Sequence, residues 1–258
     1  MRVGDIFAGI GGFSLGFEQA EYEIVWQIEI DRFARRVLAR HWPAVARPRD
    51  VRTCVESRPA AVDVICGGDP CPCRSRARGA WPSREPDLSG WFLALVGRCR
   101  PRWVVRENVP APDVEDFAAG LEALGYGVTV VELNARDFTP QVRVRQFVIG
   151  CPPGYAPAME EALSHSQDGA MDADAQDPAQ EGTYCLTAHP RRLAEDTVVL
   201  EGSRLRSLSP EEREALQGFP GGWTAGLSFT RRCLLLGRAV CVPVAHWIAE
   251  RIKEVEGQ

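Results

Sequence analysis

Arg2-Val3-Gly4-Asp5-Ile6-Phe7-Ala8-Gly9-Ile10-Gly11-Gly12-Phe13 opens the chain with a strand pattern, a glycine-rich turn and the start of a helix. Such a turn lets a ligand lie against backbone N–H groups and the positive end of the helix. Turns of this kind are common, so the surroundings decide what it means. Glu29 follows Gly11 by 18 residues, at the end of the next strand pattern. An acid there can take both hydroxyls of a ribose, and Ile30 beside it offers an apolar face to an adenine. Outward from this unit the alternation continues. Strands are predicted at 3–7, 23–28, 62–66, 103–106, 128–133 and 146–149, and helices at 12–18, 31–41, 89–99 and 113–124, with Gly125 as the C-terminal cap. Strands alternating with helices predict an α/β fold with a doubly wound, mostly parallel sheet, whose ligands sit at the carboxyl ends of the strands.

The 258 residues suit one mid-sized domain with a small appendage, and 45% hydrophobic residues suffice for a core. No apolar stretch suggests a membrane span, and the strand-like start predicts no signal peptide. Nine cysteines, an odd number, suggest reduced thiols in a cytoplasm. A net charge of −5 argues against a protein that coats nucleic acid nonspecifically. Arginines nevertheless cluster at Arg74, Arg76, Arg78 and Arg84, at Arg98, Arg100, Arg102 and Arg106, and at Arg231 and Arg232. Basic patches on an acidic protein fit a nucleic-acid cleft that faces one way. Residues 164–181 are polar and acidic and read as a long loop. Ser209-Pro210-Glu211-Glu212 then opens a helix with a capping box, and an apolar segment from Pro243 reads as a final helix packed back on the first sheet.

Val62-Asp63-Val64-Ile65-Cys66-Gly67-Gly68 runs into Asp69-Pro70-Cys71-Pro72-Cys73. A strand ending in two glycines delivers Cys71 on a loop stiffened by prolines, which presents a thiol at a fixed place. A thiol so held is a candidate nucleophile where its surroundings favour the thiolate. Cys73 is the alternative nucleophile. A metal cluster of Cys66, Cys71, Cys73 and Cys99 is a weaker alternative, because no CxxC spacing repeats.

Together these segments resemble the DNA cytosine-5 methyltransferases. The opening motif is Asp5 to Gly12, and Gly67-Gly68-Asp69-Pro70-Cys71 is similar to the family's Gly-Gly-Pro-Pro-Cys loop. Glu107-Asn108-Val109 matches Glu-Asn-Val, and Gln141-Val142-Arg143-Val144-Arg145 matches Gln-x-Arg-x-Arg. Leu216-Gln217-Gly218-Phe219-Pro220 and Gly237-Arg238-Ala239-Val240 resemble the two C-terminal motifs. The matches stand in family order from one end of the chain to the other.

The resemblance implies a Rossmann-like methyltransferase that uses S-adenosylmethionine on double-stranded DNA and flips the target base out of the stack. It implies Cys71 as the nucleophile on carbon 6, Glu107 as the group at N3, and Arg143 as the holder of O2, with Arg145 supporting the loop or the DNA backbone. Phe7, Gly9 and Gly11 would line the methionine and ribose, Glu29 the ribose hydroxyls, Ile30 the adenine and Asp50 its amino group. Arg74, Arg76 and Arg78 would lie on the loop that closes over the DNA. The implied domains are a cofactor-binding and catalytic domain at 1–150, a small target-recognition segment at 151–205, and C-terminal helices at 206–258. A monomer of bacterial or phage origin, without metal or membrane, is expected.

Three positions and the length of one segment depart from the family pattern. Asp69 replaces a proline, Pro72 replaces a glutamine, and Arg238 stands where asparagine is usual; the recognition segment, at about 50 residues, is also short. A segment this small predicts a target of about two to four base pairs, since one bidentate base contact discriminates by only ~1–3 kcal/mol. Arg191, Arg192, Arg204 and Arg206 are candidate readers. Asp69 would raise the thiol's pKa unless a cation answers it, and a pair with Arg238 would account for both departures. Arg238 could instead grip the extra carboxylate of carboxy-S-adenosylmethionine, which would make the chain a carboxymethyltransferase. An inactive DNA-binding homologue and an RNA cytosine methyltransferase are further alternatives; the Cys-Phe-Thr of the RNA branch is absent, Phe229-Thr230 lacking the cysteine.

Overall fold

The computed structural model describes residues 1–70, 87–111, 113–164, 198–201 and 204–257. Its centre is a six-stranded sheet of β1 (Arg2–Ile6), β2 (Glu23–Ile28), β3 (Val64–Gly67), β4 (Trp103–Asn108), β5 (Gly127–Asn134) and β6 (Val144–Cys151), in the order β2-β1-β3-β4-β6-β5. Neighbours from β2 to β4 are parallel, and β6 runs antiparallel to both β4 and β5. The strand order reverses beside β1, so the ligand crevice of a doubly wound sheet opens at the carboxyl ends of β1 and β3.

Both faces are covered, as the near-continuous apolar strands require. On one face lie α1 (Gly12–Gln19), α6 (Ala156–Ser164) and α9 (Val242–Glu256), which bury Phe13, Phe17, Met159, Ile248 and Ile252 against Val64, Trp103, Val105 and Ile149. On the other lie α3 (Val51–Ser57), α4 (Ser89–Cys99) and α5 (Asp113–Ala123), with Phe92, Leu95, Phe117 and Leu121 over Ile65, Val104 and Val148. A third cluster joins α2 (Arg32–His41) and α8 (Phe229–Arg238) to the glycine-rich turn through Ile10, Leu38, Trp42, Trp223 and Leu236.

Most predicted elements are present within a residue or two. The differences come from tertiary packing. The short helix α3 follows Asp50, whose carboxylate accepts the Arg52 N–H as an N-cap. Helix α6 falls inside the expected recognition segment yet packs on β5 and α9. Beyond it, β7 (Val198–Glu201) and β8 (Arg204–Ser207) pair as a hairpin, followed by α7 (Pro210–Leu216) with the predicted capping box of Ser209 and Glu212. Residues 229–256 are long and apolar enough to cross a membrane, contrary to expectation, but they form two helices, α8 and α9, and 61% of the apolar window is buried in the protein.

Candidate active site

The glycine-rich turn leaves β1 through backbone that only certain residues tolerate. Gly11 sits at φ 89°, the left-handed region open to glycine, and Phe7 holds φ 57° without being one. Below the turn, Asp5 is buried; its Oδ2 accepts the Ser14 N–H at 3.1 Å and the Ser14 hydroxyl at 2.7 Å. Burial pushes the Asp5 carboxyl up to about 7 against the pull of those hydrogen bonds. Gln27 Nε2 donates to Ser14 Oγ at 3.0 Å, and Arg47 in turn donates to Gln27 Oε1.

Glu29 closes the same crevice. Its two carboxylate oxygens accept the Gly9 N–H at 2.7 Å and the Asp31 N–H at 2.6 Å. Burial raises its pKa as well, and backbone hydrogen bonds only partly offset this. Ile30 is 55% exposed at the rim. The structure therefore joins the turn of Phe7, Gly9 and Gly11 to Glu29 through the Gly9 hydrogen bond, with Ile30 next to it. Asp50 lies near the next helix and is otherwise engaged. Besides capping α3, it forms an ion pair with Arg52 at 2.6 Å, whose hydrogen bond lowers its pKa.

A second group of side chains converges at the carboxyl ends of β3 and β4. Alternation along β4 sends Trp103, Val105 and Glu107 to the α1/α9 face and Val104, Arg106 and Asn108 to the α4/α5 face. Because β6 is antiparallel, its first residues lie beside the last residues of β4; Glu107 is opposite Phe147, and Arg145 precedes Phe147 by two on the same face. Arg145 Nε thereby reaches Glu107 Oε1 at 3.0 Å. Gly68 completes the arrangement, since a Cβ there would meet Glu107 Oε2 at 2.9 Å. The absent side chain lets the β3 loop pass directly over the carboxylate.

The two arginines of the motif stand in different surroundings. Arg143 is 4% exposed and donates to the carbonyls of Gly237 at 3.3 Å and Ala239 at 2.9 Å, which it holds at the end of α8. It is a clamp on the C-terminal segment, and Gln141 and Gln217 reinforce it by bonding to Leu216, Leu236 and Ala239. Arg145, expected to support the loop or the DNA backbone, is the arginine beside Glu107.

The expected partner of Asp69 is also corrected. Asp69 is engaged bidentately by Arg106, Nε to Oδ1 at 2.5 Å and Nη2 to Oδ2 at 2.9 Å. Arg106, counted above in a basic cluster, is 1% exposed and serves no outer surface. A lone arginine in the run Trp103-Val104-Val105 was a visible signal, since a buried guanidinium demands an anion. Arg238 is the exposed last residue of α8. It adjoins Ala239 and Val240, and a Cβ on Gly12 would meet the Val240 carbonyl at 2.6 Å. At its other end α8 meets α2, with Arg231 over the Phe33 ring at 4.2 Å and 4.0 Å from Asp31. The helix thus runs from the Glu29–Asp31 end of the crevice to the glycine-rich turn.

Cys71, Cys73, Arg74, Arg76, Arg78, Arg84, Arg191 and Arg192 lie outside the described residues. The four-cysteine cluster is excluded by its other members, because Cys66 packs on the α1/α9 face and Cys99 on the opposite one. Burial also pushes the Cys66 thiol well above its ordinary pKa, so it is no rival nucleophile. Arg206 is committed to Glu212 by two hydrogen bonds of 2.8 and 2.9 Å.

Comparison with known proteins identifies the family and the fold. A family model described as C-5 cytosine-specific DNA methylase matches residues 1–181 and 172–254. The chain is 29% identical to the type II methyltransferase M.NlaX of Neisseria lactamica over 98% of this chain and 96% of that protein. It is 26% identical to the type II methyltransferase M1.ScrFI of Lactococcus lactis subsp. cremoris, covering 97% and 77% respectively. Among solved structures, the Entamoeba histolytica methyltransferase EhMeth shares the fold, with a TM-score of 0.70 at 14% identity and 98% coverage of both chains.

Proposed function

Because the chain belongs to the C-5 cytosine-specific DNA methylase family, we propose that it methylates carbon 5 of a cytosine flipped out of double-stranded DNA, with Cys71 as nucleophile and Glu107 as its partner at N3. The observation that carries this reading is the convergence of Gly68, Glu107 and Arg145 at the end of β3 and β4, with Gly68 three residues before Cys71. The Cys71 thiolate adds to carbon 6, and Glu107 holds a proton at N3 so that the ring accepts the electron pair. Arg145, only partly exposed, forms an ion pair with Glu107, whose buried Oε1 accepts no hydrogen bond among the described residues, and would orient that carboxyl group and reach O2. When bound, S-adenosylmethionine supplies an electrophilic methyl group. Loss of the carbon 5 proton then lets Cys71 leave.

The crevice suits that cofactor. Asp5 and Glu29 are buried carboxyl groups whose pKa values burial raises, so a cationic ligand beside them would favour their ionised forms, and Glu29 and Ile30 stand where a ribose and an adenine need them. The short segment before β7 supports a target of about two to four base pairs, since each side chain on a base edge adds only ~1–3 kcal/mol of discrimination. The direct test is covalent trapping by a duplex containing 5-fluorocytosine together with cofactor. Wild type forms the adduct, and Cys71→Ala does not. An adduct that survives in Cys71→Ala and vanishes in Cys73→Ala would move the nucleophile.

One observation favours a second reading. Arg238 is exposed beside the segment seated on Gly12, and Asp69 is spoken for by Arg106. An arginine there fits a transferable group that carries a carboxylate, as in carboxy-S-adenosylmethionine. Competition between the two cofactors, with the product nucleoside weighed by mass spectrometry, separates the readings. A carboxymethyl product lost in Arg238→Asn supports the second; methylcytosine alone, unchanged in that variant, removes it.

A further inference from the structure

Asp69 stands at a position where the family pattern has proline, two residues before Cys71. The residue carries no conformational restriction of its own, yet it is among the most firmly held in the molecule. Both its oxygens meet Arg106 in a fork, the two side chains are 2% and 1% exposed, and its carbonyl accepts the Asn108 amide at 3.3 Å. Arg106 is itself located independently of the loop. Its guanidinium lies 4.5 Å from the Phe117 ring centroid and reaches Asp113 at 3.2 Å, both on α5. Burial lowers the Arg106 pKa, and the two carboxylates more than restore it, so the cation persists.

We propose that the buried Arg106–Asp69 pair is the positioning device of the nucleophile loop, using a charge fork to do what ring closure does in proline. The inference rests on the reading of Cys71 and Glu107 as the reacting pair. Arg106 and Glu107 are consecutive on β4 and point to opposite faces, so one strand end carries the acid on one side and the loop's anchor on the other. Two residues of chain span at most about 7 Å, so whatever fixes Asp69 limits where the Cys71 thiol can go. The pair also removes an electrostatic fault. A bare carboxylate this close would disfavour the thiolate, and the guanidinium cancels it. A buried pair is poor evidence of a purely stabilising role, because apolar residues of similar volume often serve stability as well.

The test compares wild type with Asp69→Asn, Arg106→Lys, Arg106→Leu and the double variant Asp69→Pro/Arg106→Leu, which restores the family's proline. Each is assayed for single-turnover adduct formation on saturating 5-fluorocytosine duplex, for duplex and cofactor affinity, and for thermal stability. We expect Asp69→Asn and Arg106→Lys to slow the adduct at least about 100-fold, with both affinities within about 3-fold of wild type. The double variant should recover most of that rate. Where Arg106→Leu fails to fold, Arg106→Lys, which keeps a buried cation without the fork, decides the matter. Folded single variants that trap at the wild-type rate, or that lose rate only in step with their folded fraction, overturn the proposal. A wild-type protein that never traps refutes the assignment of Cys71 and Glu107 instead, a result distinguishable from either.

Discussion

The two ends of the crevice handle negative charge in opposite ways. At the carboxyl ends of β1 and β2, Asp5 and Glu29 are buried and held only by N–H and O–H donors, so burial raises both pKa values. A few ångströms of sheet away, at β3, β4 and β6, Asp69 and Glu107 each face a guanidinium, from Arg106 and Arg145. The first region holds carboxyl groups whose ionised forms a cationic ligand would favour, which fits a sulfonium cofactor. The second sets a guanidinium beside each of these two carboxylates, so its charges serve orientation: each carboxylate lies against a cation whose own position is set by a strand. A binding region and a reacting region on one sheet are thus told apart by whether their carboxylates come with counter-ions.

Substitutions in the reacting region test the contrast most severely. Glu107→Gln should reduce adduct formation by about 10²–10⁴-fold, the usual span for a positioned acid or base, with cofactor affinity unchanged; isothermal titration and trapping on the same preparation check both halves. Next comes Arg145→Leu, which leaves Glu107 without its ion-pair partner. A fall of about 10–100-fold in single-turnover rate is expected, whereas Arg143→Leu should chiefly lower thermal stability by loosening the end of α8. A mutant pair showing the reverse would restore the roles that the motif alone implies for these arginines.

In the binding region the effects move to affinity. Glu29→Gln removes the charge that faces the cofactor and should weaken its binding by roughly 10-fold, in line with ~1.5–3 kcal/mol for hydrogen bonds to charged groups, with little change in the rate of the saturated enzyme. The Asp5 carboxyl supplies a pH signature. Below the ordinary carboxyl pKa both folded and unfolded states are protonated. As the pH climbs towards about 7, the unfolded chain has released a proton that the folded protein still holds, so stability falls with rising pH. Wild type should therefore lose stability between pH 4 and 7 relative to Asp5→Asn, by on the order of 3 kcal/mol; parallel melting curves would mean that Asp5 stays ionised throughout. Repulsion from Glu29 is among the causes that raise the Asp5 pKa, so the Glu29 titration also differs between the two proteins and belongs to the same difference. Asp50→Ala is the smallest change, costing about 1 kcal/mol as a lost N-cap and lowering Tm by roughly 2–4 °C. A large loss of cofactor affinity without that shift would make Asp50 a ligand contact first and a cap second.

Legibility followed the range of the forces involved. Strand and helix alternation, the glycine-rich turn and the Ser209 capping box are local, and the structure reproduces them closely. Helix α3 escapes the sequence pattern because its seven residues carry little periodicity and depend on the Asp50 cap. Helix α8 escapes it because its apolar residues Cys233, Leu235 and Leu236 face α2 and the turn rather than the sheet. Among the site residues, Glu107 and the cofactor turn were readable as motifs, since their chemistry demands particular residue types. The division of labour between Arg143 and Arg145 was not. The two are equivalent by type and differ by two places in the motif, Arg143 lying just before β6 and Arg145 within it.

What the chain determined by itself is the order of its elements and the residue types that meet at the strand ends: a thiol, a carboxyl group, two glycines and several arginines. Those follow from hydrophobic period, turn chemistry and the demands of a reacting site, all legible in one dimension. Tertiary structure alone decided which cation answers which anion. Asp69 chose Arg106 over Arg238 because β3 and β4 are adjacent and parallel, which brings residues 37 apart within 2.5 Å and leaves Arg238 at the far end of α8. Charge pairing depends on distance in space, and sheet order sets that distance only after the whole chain has folded.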